Sequence, residues 1–464
     1  MRRSFILLLL FVFSLTLFAC DEVDSDGRTT IKFWHRMGGA NQEIVQNWIK
    51  DFEEIHPDIK VIEEKAADDY DQLEDKIAKA IPAGNAPHIA ESYPDHVARY
   101  PNQVLVLNEY INDPEIGYSQ EEIEDFLTGL WMEGQSYDDE GTILSLPFTK
   151  SSEALFYRKD YFDKYGYELP ERGFWTWEEI FVIAEDIKTR EEAKLGEGAV
   201  VYPIGYDSSD NMFITMSEQW NAPYTGYDEN GRGVVLFNND VSKEMVKYFK
   251  EKIEAGLLIT RSLNAGAYTS DVMKEGEKLF MFVGSTGGTR YSIEGVTNEV
   301  FNAGYAVGVA PVPVKDVENR KQIQQGPNIN LFKKRNKDEE RAAWLFAKFM
   351  LEPERTAEFA LQSGYAPIRH SAYETEIWTD YVAGIKENPT TPQEAAAKLI
   401  KEAIEMFRDN ENIFFTSAVF NLSSKTRSEV GALLNKIFAS DLKDAALDAF
   451  INDEYEDSYD FIVN

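Results

Sequence analysis

The chain has 464 residues, of which 43% are hydrophobic and 13% aromatic, which is enough apolar material for sizeable cores and excludes a disordered chain. Asp and Glu number 81 against 47 Lys and Arg, and the resulting net charge of −34 repels nucleic-acid phosphates and anionic lipid headgroups. We therefore expect two lobes of ordinary domain size and no nucleic-acid partner.

The N-terminus has the pattern of an export signal. Arg2 and Arg3 precede a mostly apolar run over 5–18, and such a run is shorter than the roughly twenty residues that span a bilayer core. It therefore predicts a segment that is removed after export.

The only cysteine, Cys20, directly follows this run. Leu17-Phe18-Ala19-Cys20 resembles a bacterial lipoprotein box, in which the cysteine becomes the acylated first residue of the mature chain. We expect 1–20 to be a lipoprotein signal peptide, Cys20 the lipid anchor and 21–27 an acidic linker. An ordinary secretory signal with an incidental cysteine is the alternative.

Sequence motifs for catalysis or metal binding do not occur. With Cys20 lipidated, no thiol remains for a disulfide, a nucleophile or a metal site. The five histidines lack helical metal spacing, and no His-Glu-x-x-His string, P-loop or Gly-x-Ser-x-Gly elbow is present. We expect no catalytic residue, no metal and no cofactor.

Strands and helices alternate from the start of the folded body. The pattern predicts a buried strand at 30–34, a helix at 44–52, a strand from Ile59, a helix at 73–81 and a short strand around Ile89. This order indicates an α/β layer with largely parallel strand pairing.

The same pattern returns after Pro147. A strand is predicted at 154–157, and Thr176-Trp177-Glu178-Glu179 is a capping box that begins a helix. Further elements are a strand at 202–206, helices at 212–220 and 245–253, a strand at 279–283, extended segments at 305–313 and 328–332, and a helix at 339–351. The last hundred residues are predicted to be mainly helical.

Five stretches carry a family resemblance. They are Thr30-Ile31-Lys32-Phe33-Trp34-His35, the helix-to-strand junction at 52–61, Leu146-Pro147-Phe148 with 154–160, the Thr-Trp-Glu-Glu helix start at 176–179, and Ser363-Gly364-Tyr365-Ala366-Pro367. Their order along the chain resembles that of the family 1 extracellular solute-binding proteins, the maltose-binding type of ABC importer receptor.

The resemblance implies an α/β fold of the type II periplasmic-binding-protein class, with two lobes and a ligand cleft between them. It places the N-terminal lobe at 28–147 plus 300–350 and the C-terminal lobe at 148–299 plus 351–464. It also implies a small-molecule ligand and an ABC permease as partner.

Shorter matches are most similar to the glycerol-3-phosphate-binding receptors of the family. They are Phe33-Trp34-His35, Gly84-Asn85-Ala86-Pro87, Ser151-Ser152, Trp220-Asn221 and Gly364-Tyr365. By this resemblance Tyr70, one of Ser151 and Ser152, Ser285, Gly326 and Tyr365 contact the ligand.

Three positions depart from those receptors. Pro94 stands near an expected glutamate, with Asp95 beside it; an aromatic residue expected near Asn211 is missing; and an arginine expected near Asn421 is absent unless Arg427 substitutes. A neutral sugar or oligosaccharide therefore stays open beside a glycerol phosphate.

A sugar presents hydroxyl groups and apolar C–H faces, so its receptor needs short polar side chains at loop ends and flat rings. The candidate ligand-binding residues are Tyr70, Asp95, Ser151, Ser152, Trp220, Ser285, Thr286, Gly326 and Tyr365, with His35 and Arg36 as further candidates at the cleft mouth. A structural role is the alternative for each: Trp220 as core, the serines as turn formers and the glycine-rich segment at 284–288 as a connector.

Together these features predict a monomeric, membrane-anchored lipoprotein outside the cytoplasm. It would close on a sugar, oligosaccharide or sugar-like polyol, with glycerol phosphate included, and deliver it unchanged to the permease. The alternatives are a secreted carbohydrate-active enzyme and a ligand sensor for a signalling receptor.

Overall fold

The structure is a computed structural model that describes residues 27–138, 140–276 and 278–464. The predicted signal peptide, Cys20 and residues 21–26 of the linker lie outside these residues. Within the described ranges, none of the helices combines the length and the apolar character that a membrane span requires.

The described residues form fourteen strands and eighteen α-helices. The strands are β1 Thr29–His35, β2 Ile59–Lys65, β3 Ile89–Ser92, β4 Leu146–Pro147, β5 Ser151–Arg158, β6 Ile204–Tyr206, β7 Thr225–Tyr227, β8 Gly233–Val235, β9 Leu258–Thr260, β10 Met281–Ser285, β11 Val307–Ala310, β12 Gln322–Gln325, β13 Asn328–Leu331 and β14 Phe414–Phe415. The helices are α1 Gly39–Ile55, α2 Tyr70–Ala80, α3 Pro94–Val97, α4 Asn108–Ile111, α5 Gln120–Glu124, α6 Thr128–Glu133, α7 Lys159–Tyr165, α8 Trp177–Leu195, α9 Ser209–Gln219, α10 Asp240–Glu254, α11 Thr269–Lys274, α12 Asn298–Asn302, α13 Lys337–Met350, α14 Pro353–Ser363, α15 Glu376–Gly384, α16 Pro392–Asp409, α17 Ser423–Ala439 and α18 Asp444–Val463.

The first sheet has five strands in the order β2-β1-β3-β13-β4. β1 is parallel to β2 and β3, whereas β13 runs antiparallel to β3. α1 packs on this sheet through Ile44, Val45, Trp48 and Phe52, the apolar face that the sequence predicts. Burying one such side chain contributes about 1.5–3 kcal/mol.

The second sheet is larger and mixed, with the strand order β14-β12-β5-β10-β6-β9 and β11 also paired with β5. β10 is parallel to β6 but antiparallel to β5. Its core contains Trp177 and Phe249, and the predicted capping box begins α8: Glu179 N–H donates to Thr176 Oγ1 at 3.2 Å and Thr176 N–H donates to Glu179 Oε2 at 2.8 Å.

The α/β class and most predicted elements are confirmed, and two of the differences concern the strands beside the cleft. Ser151 and Ser152 do not precede β5 but begin it, because both pair with β12. The polar segment at 322–325 forms β12, a strand that the hydrophobic pattern did not predict.

The lobe boundaries stay a prediction. The strand pairing suggests where two of them lie. β11 and β12 pair with β5 of the second sheet, whereas α14 packs against α1 beside the first. We therefore propose that 300–325 belongs with the second sheet and that α14 belongs with the first.

Three chain segments cross between the two sheets at one place. They are the β4–β5 link, the β12–β13 link and the segment after α14, where Ala366 N–H donates to Lys150 O at 2.7 Å. Gly326 makes the approach close: its φ is +89°, and a Cβ there would lie 2.1 Å from Thr149 O. These crossing segments connect the two sheets.

Candidate ligand-binding cleft

The ends of parallel strands from both sheets meet at the cleft. Arg36 follows β1 and Tyr93 follows β3, while Asp207 follows β6 and Ser285 ends β10. In parallel α/β sheets, ligands bind outside the carboxyl ends of the strands. The sequence order of strand and loop therefore brings these four side chains to the cleft.

Arg36 is the central cation on the side of the first sheet. Its guanidinium lies over the Tyr70 ring, 4.2 Å from the centroid, and its Nη2 donates to Tyr365 Oη at 3.2 Å. Its backbone N–H donates to Glu91 Oε2 at 2.9 Å. Burial alone lowers the pKa of Arg36, but Tyr70, Tyr365 and Glu91 raise it above the ordinary value, so the side chain is cationic.

Aromatic rings continue this cluster across the cleft. Tyr70 packs on Tyr93 with ring centroids 4.7 Å apart, and the Arg427 guanidinium of α17 lies 5.6 Å from the centroid of Tyr93. Burial raises the pKa of Tyr70 well above its ordinary value, so its hydroxyl keeps its proton. Two cations and two rings thus form one continuous surface.

The larger of two cavities in the cleft has a volume of about 480 Å³, and residues from both sides of the cleft line it. Arg36 and Tyr365 line one side, and Asp207, Ser285 and Gln325 line the other. Its charged lining residues are Arg36, Arg261, Glu153, Asp207 and Asp271. Because both signs are present, the wall does not favour an anionic ligand by charge alone.

Glu153 is the most deeply buried acid of this wall, with 1% of its surface exposed. Its Oε2 accepts a hydrogen bond from Tyr206 Oη at 2.6 Å. Burial raises the pKa of Glu153 to about 8. A carboxyl group that is largely neutral at pH 7 therefore faces the cavity.

A smaller cavity of about 50 Å³ adjoins Arg427, and Tyr93, Asp95, Tyr224 and Gln324 contribute to its wall. Arg427 Nε lies 2.9 Å from Asp210 Oδ2, and its Nη2 donates to Asn211, which lines the larger cavity. The two cavities therefore share a boundary at Arg427 and Asn211.

Helices from the two sides of the cleft also touch directly. Ser424 Oγ on α17 donates to Glu74 Oε2 on α2 at 3.1 Å, and both residues are buried. Tyr227 Oη of β7 donates to Ser136 O at 3.1 Å. The conformation is therefore one in which the cleft is closed.

The family model for the bacterial extracellular solute-binding protein matches residues 47–387. The chain belongs to the bacterial extracellular solute-binding proteins. Among curated relatives, the sn-glycerol-3-phosphate-binding periplasmic protein UgpB of Salmonella typhimurium is 25% identical over 355 residues, 75% of this chain and 76% of UgpB. UgpB of Escherichia coli K12 has the same identity and coverage.

Solved structures show the same two-lobed solute-binding fold. UgpB from Mycobacterium tuberculosis in complex with glycerophosphocholine superposes with a TM-score of 0.68 at 19% identity, covering 94% of this chain and 98% of that one. Maltose-bound MalE3 of T. maritima gives a TM-score of 0.70 at 17% identity, covering 93% and 98%. The predicted family and fold are thereby confirmed.

Several predicted site residues come together in this solute-binding protein. Arg36, Ser285 and Tyr365 line the larger cavity, Asp95 lines the smaller one, and Tyr70 contacts Arg36. The Tyr365 ring also packs on Gly287, where a Cβ would come within 2.8 Å of it. The glycine-rich segment therefore accommodates this tyrosine.

Other predicted residues hold the cleft's framework and are not in either cavity wall. Ser152 N–H donates to Thr286 Oγ1 at 3.2 Å, and Ser152 Oγ donates to Ile323 O at 2.8 Å. Gly326 accepts from Lys150 at 2.6 Å, and Ser151 is buried opposite Gln325. These contacts join β5, β12 and the segment after β10 without involving the cavity surface.

His35 and Trp220 lie away from the cavities. His35 is fully buried, its Nε2 is 3.1 Å from Glu63 Oε2, and burial lowers the pKa of its imidazole. The Trp220 ring packs on Tyr248 and Phe249, with centroids 5.6 Å and 5.4 Å away. In this conformation neither ring reaches the larger or the smaller cavity.

Sequence reasoning missed Glu153, Asp207, Asn211, Tyr93 and Gln325 as cavity residues. Tyr93 and Asp207 directly follow strands, and this position at a strand end could have predicted them from the sequence. Glu153 and Gln325 depend on the pairing of β5 with β12, which the sequence does not reveal.

Within the described residues, one group of side chains, Asp71, Glu74 and His96, has potential metal-ligand atoms within 4.8 Å of one another. Glu74 is already bound by Arg99 at 2.9 Å and by Ser424. The acidic side chain of Glu74 is therefore used in an ion pair and a hydrogen bond between helices, and we assign the group no metal.

Proposed function

We propose that this solute-binding protein is the substrate-binding lipoprotein of an ABC importer. It binds a sugar, an oligosaccharide or a sugar-like polyol by closing its two lobes, and the permease recognises the closed form. The cavity wall supports this proposal, because Arg36 follows a strand of the first sheet while Asp207 and Ser285 belong to the second. A ligand there contacts both lobes only when they close, so binding shifts the population to the closed form.

The ligand class follows from the relatives and from the cavity's charge. The similar proteins bind ligands of two kinds. One kind is a glycerol phosphate, either sn-glycerol 3-phosphate or glycerophosphocholine, and the other is maltose. The mixed charge of the larger cavity favours an uncharged polyol. The positive charges of Arg427 and Arg36 are compatible with a phosphate ester as the alternative ligand. We propose the neutral carbohydrate as the primary ligand.

A binding assay tests this function. Isothermal calorimetry with maltose, maltotriose, glycerol and sn-glycerol 3-phosphate is expected to find a saturable ligand, and its binding raises the melting temperature by mass action. Recovery of chemically unchanged ligand supports a receptor, whereas hydrolysed oligosaccharide would establish the alternative of a carbohydrate-active enzyme.

The anchor is a separate part of the proposal. We propose that Cys20 carries lipid and tethers a monomer to the outer face of the cell membrane. Metabolic labelling with an alkyne fatty acid is expected to mark the wild type and the linker variant Ser25→Ala, but not Cys20→Ser. A labelled, membrane-bound Cys20→Ser variant would contradict lipidation at this position.

A further inference from the structure

One face of the paired strands β5 and β12 carries a row of polar side chains. Gln325 is the antiparallel partner of Ser151, and Glu153 lies two residues further along β5. Side chains two residues apart on a strand share a face, and diagonal neighbours about 7–8 Å apart are within reach of long side chains. Glu153 and Gln325 both line the larger cavity.

Each of these two side chains has an unused polar atom. Glu153 is 1% exposed and Gln325 is 5% exposed. Tyr206 satisfies Glu153 Oε2, but among the described residues neither Glu153 Oε1 nor Gln325 Nε2 has a hydrogen-bond partner. Buried polar atoms are nearly always paired, so two unpaired atoms in a cavity wall indicate a ligand that pairs them.

The two atoms differ in chemistry. Gln325 Nε2 only donates, whereas an ionised Glu153 Oε1 only accepts. A hydroxyl group satisfies both, because it accepts one hydrogen bond and donates another. A phosphate dianion has no proton to donate, and a quaternary ammonium group makes neither bond.

We propose that Glu153 and Gln325 form a hydroxyl-binding pair that, once Glu153 is ionised, makes the larger cavity specific for an uncharged polyol group over a phosphate. This inference rests on the proposed function and names the chemistry that selects its ligand. Glu153 is the specificity-determining residue, and Gln325 supplies the matching donor.

The surroundings of Glu153 determine its charge. Burial raises its pKa to about 8; the Tyr206 hydrogen bond and Arg427 oppose this rise, while Asp210 and Asp207 add to it. The other charged groups of the cavity are Arg36, Arg261 and Asp271. Raising the pH from 7 to 9 therefore converts a largely neutral acid into a carboxylate.

A donated hydrogen bond to a charged acceptor is about twice as strong as one to a neutral acceptor. The affinity for a neutral polyol is therefore expected to increase about three- to tenfold between pH 7 and pH 9. The affinity for sn-glycerol 3-phosphate is expected to fall over the same range, because its charge meets a second negative charge.

The experiment is calorimetric titration of the full chain with maltose and with sn-glycerol 3-phosphate at pH 7 and pH 9. Glu153→Gln is expected to abolish the pH-dependent gain for maltose and to weaken maltose binding about tenfold at pH 9. In this variant the amide oxygen accepts from Tyr206, so the NH2 group stands where the hydroxyl needs an acceptor. Gln325→Leu is expected to weaken maltose binding at both pH values, and exposed Glu121→Gln is expected to change neither.

The outcomes separate the two proposals. A Glu153→Gln variant that binds maltose with the wild-type affinity and pH profile overturns the hydroxyl-binding pair while leaving the receptor function intact. If circular dichroism shows that Glu153→Gln is unfolded, Gln325→Leu decides, and unchanged maltose binding by it overturns the pair. A wild type that binds the phosphate ester but no neutral polyol also overturns the pair, and a wild type that binds none of maltose, maltotriose, glycerol and sn-glycerol 3-phosphate overturns both proposals.

Discussion

The ammonium group of Lys150 donates to the backbone carbonyl of Gly326 at 2.6 Å and so joins two of the three segments that cross between the sheets. The same ammonium donates to Glu133 Oε2 at 2.5 Å and to Asn328 Oδ1 at 3.2 Å. Lys150 is 0% exposed, and burial lowers its pKa, so its three acceptors are what keep a cation there. A buried ion pair thus lies among the segments that cross between the two sheets.

Replacing Lys150 should therefore destabilise the fold strongly. Lys150→Met leaves the Glu133 carboxylate buried without its partner, and breaking a buried pair in this way costs about 3–5 kcal/mol. Urea unfolding followed by circular dichroism measures the free energy of unfolding. Lys159→Met is the control, because its exposed pair with Asp163 at 2.7 Å should contribute less than about 1 kcal/mol. Equal losses for both variants would contradict the role of Lys150.

Gly326 should not tolerate a side chain. Its φ of +89° strains any L-residue, and a Cβ would stand 2.1 Å from Thr149 O, a backbone atom that cannot rotate away. We expect Gly326→Ala to lower the free energy of unfolding by more than about 2 kcal/mol. Gly384→Ala is the matched control, because no atom lies within 4 Å of its Cβ position. A Gly326→Ala protein as stable as this control would show that the crossing segments can move apart.

The sequence predicts the framework better than the site. The 3.6-residue spacing of α1 and the capping box at Thr176 are local patterns, and both appear as predicted. Glu153 and Gln325 lie on one face of the sheet only because β5 pairs with β12, which follows it by more than 160 residues, and β12 is too polar to show strand periodicity. In the sequence, Trp220 fits a stacking role and a core role equally well. Its packing on Tyr248 and Phe249 depends on tertiary contacts that no local pattern reveals.

Closure of the cleft should depend on the hydrogen bond from Ser424 to Glu74. This bond joins α17 to α2 across the cleft, so we expect opening of the lobes to break it. Ser424→Ala removes it, and one such bond contributes about 1 kcal/mol. We expect about a fivefold loss of ligand affinity in calorimetry. Ser458→Ala removes a bond of 2.8 Å to Glu429 within one lobe, so it should reduce stability without changing affinity. Equal affinities for the two variants would show that this contact does not favour closure.

The stability of the unliganded protein should report the charge of Glu153. Its pKa in the folded state, about 8, lies above the value near 4.3 in an unfolded chain, because burial disfavours the carboxylate. Because the unfolded chain releases this proton first, the free energy of unfolding is not reduced by Glu153 below about pH 4.3. It then falls as the pH rises to about 8. Glutamine has no proton to release, so the stability of Glu153→Gln relative to the wild type should increase steadily from pH 5 to pH 8 and then level off. Urea unfolding of both proteins at several pH values measures this difference. The contributions of other titrating groups largely cancel, because both proteins contain them. A difference that stays constant from pH 5 to pH 8 would mean that Glu153 is ionised in the folded protein throughout.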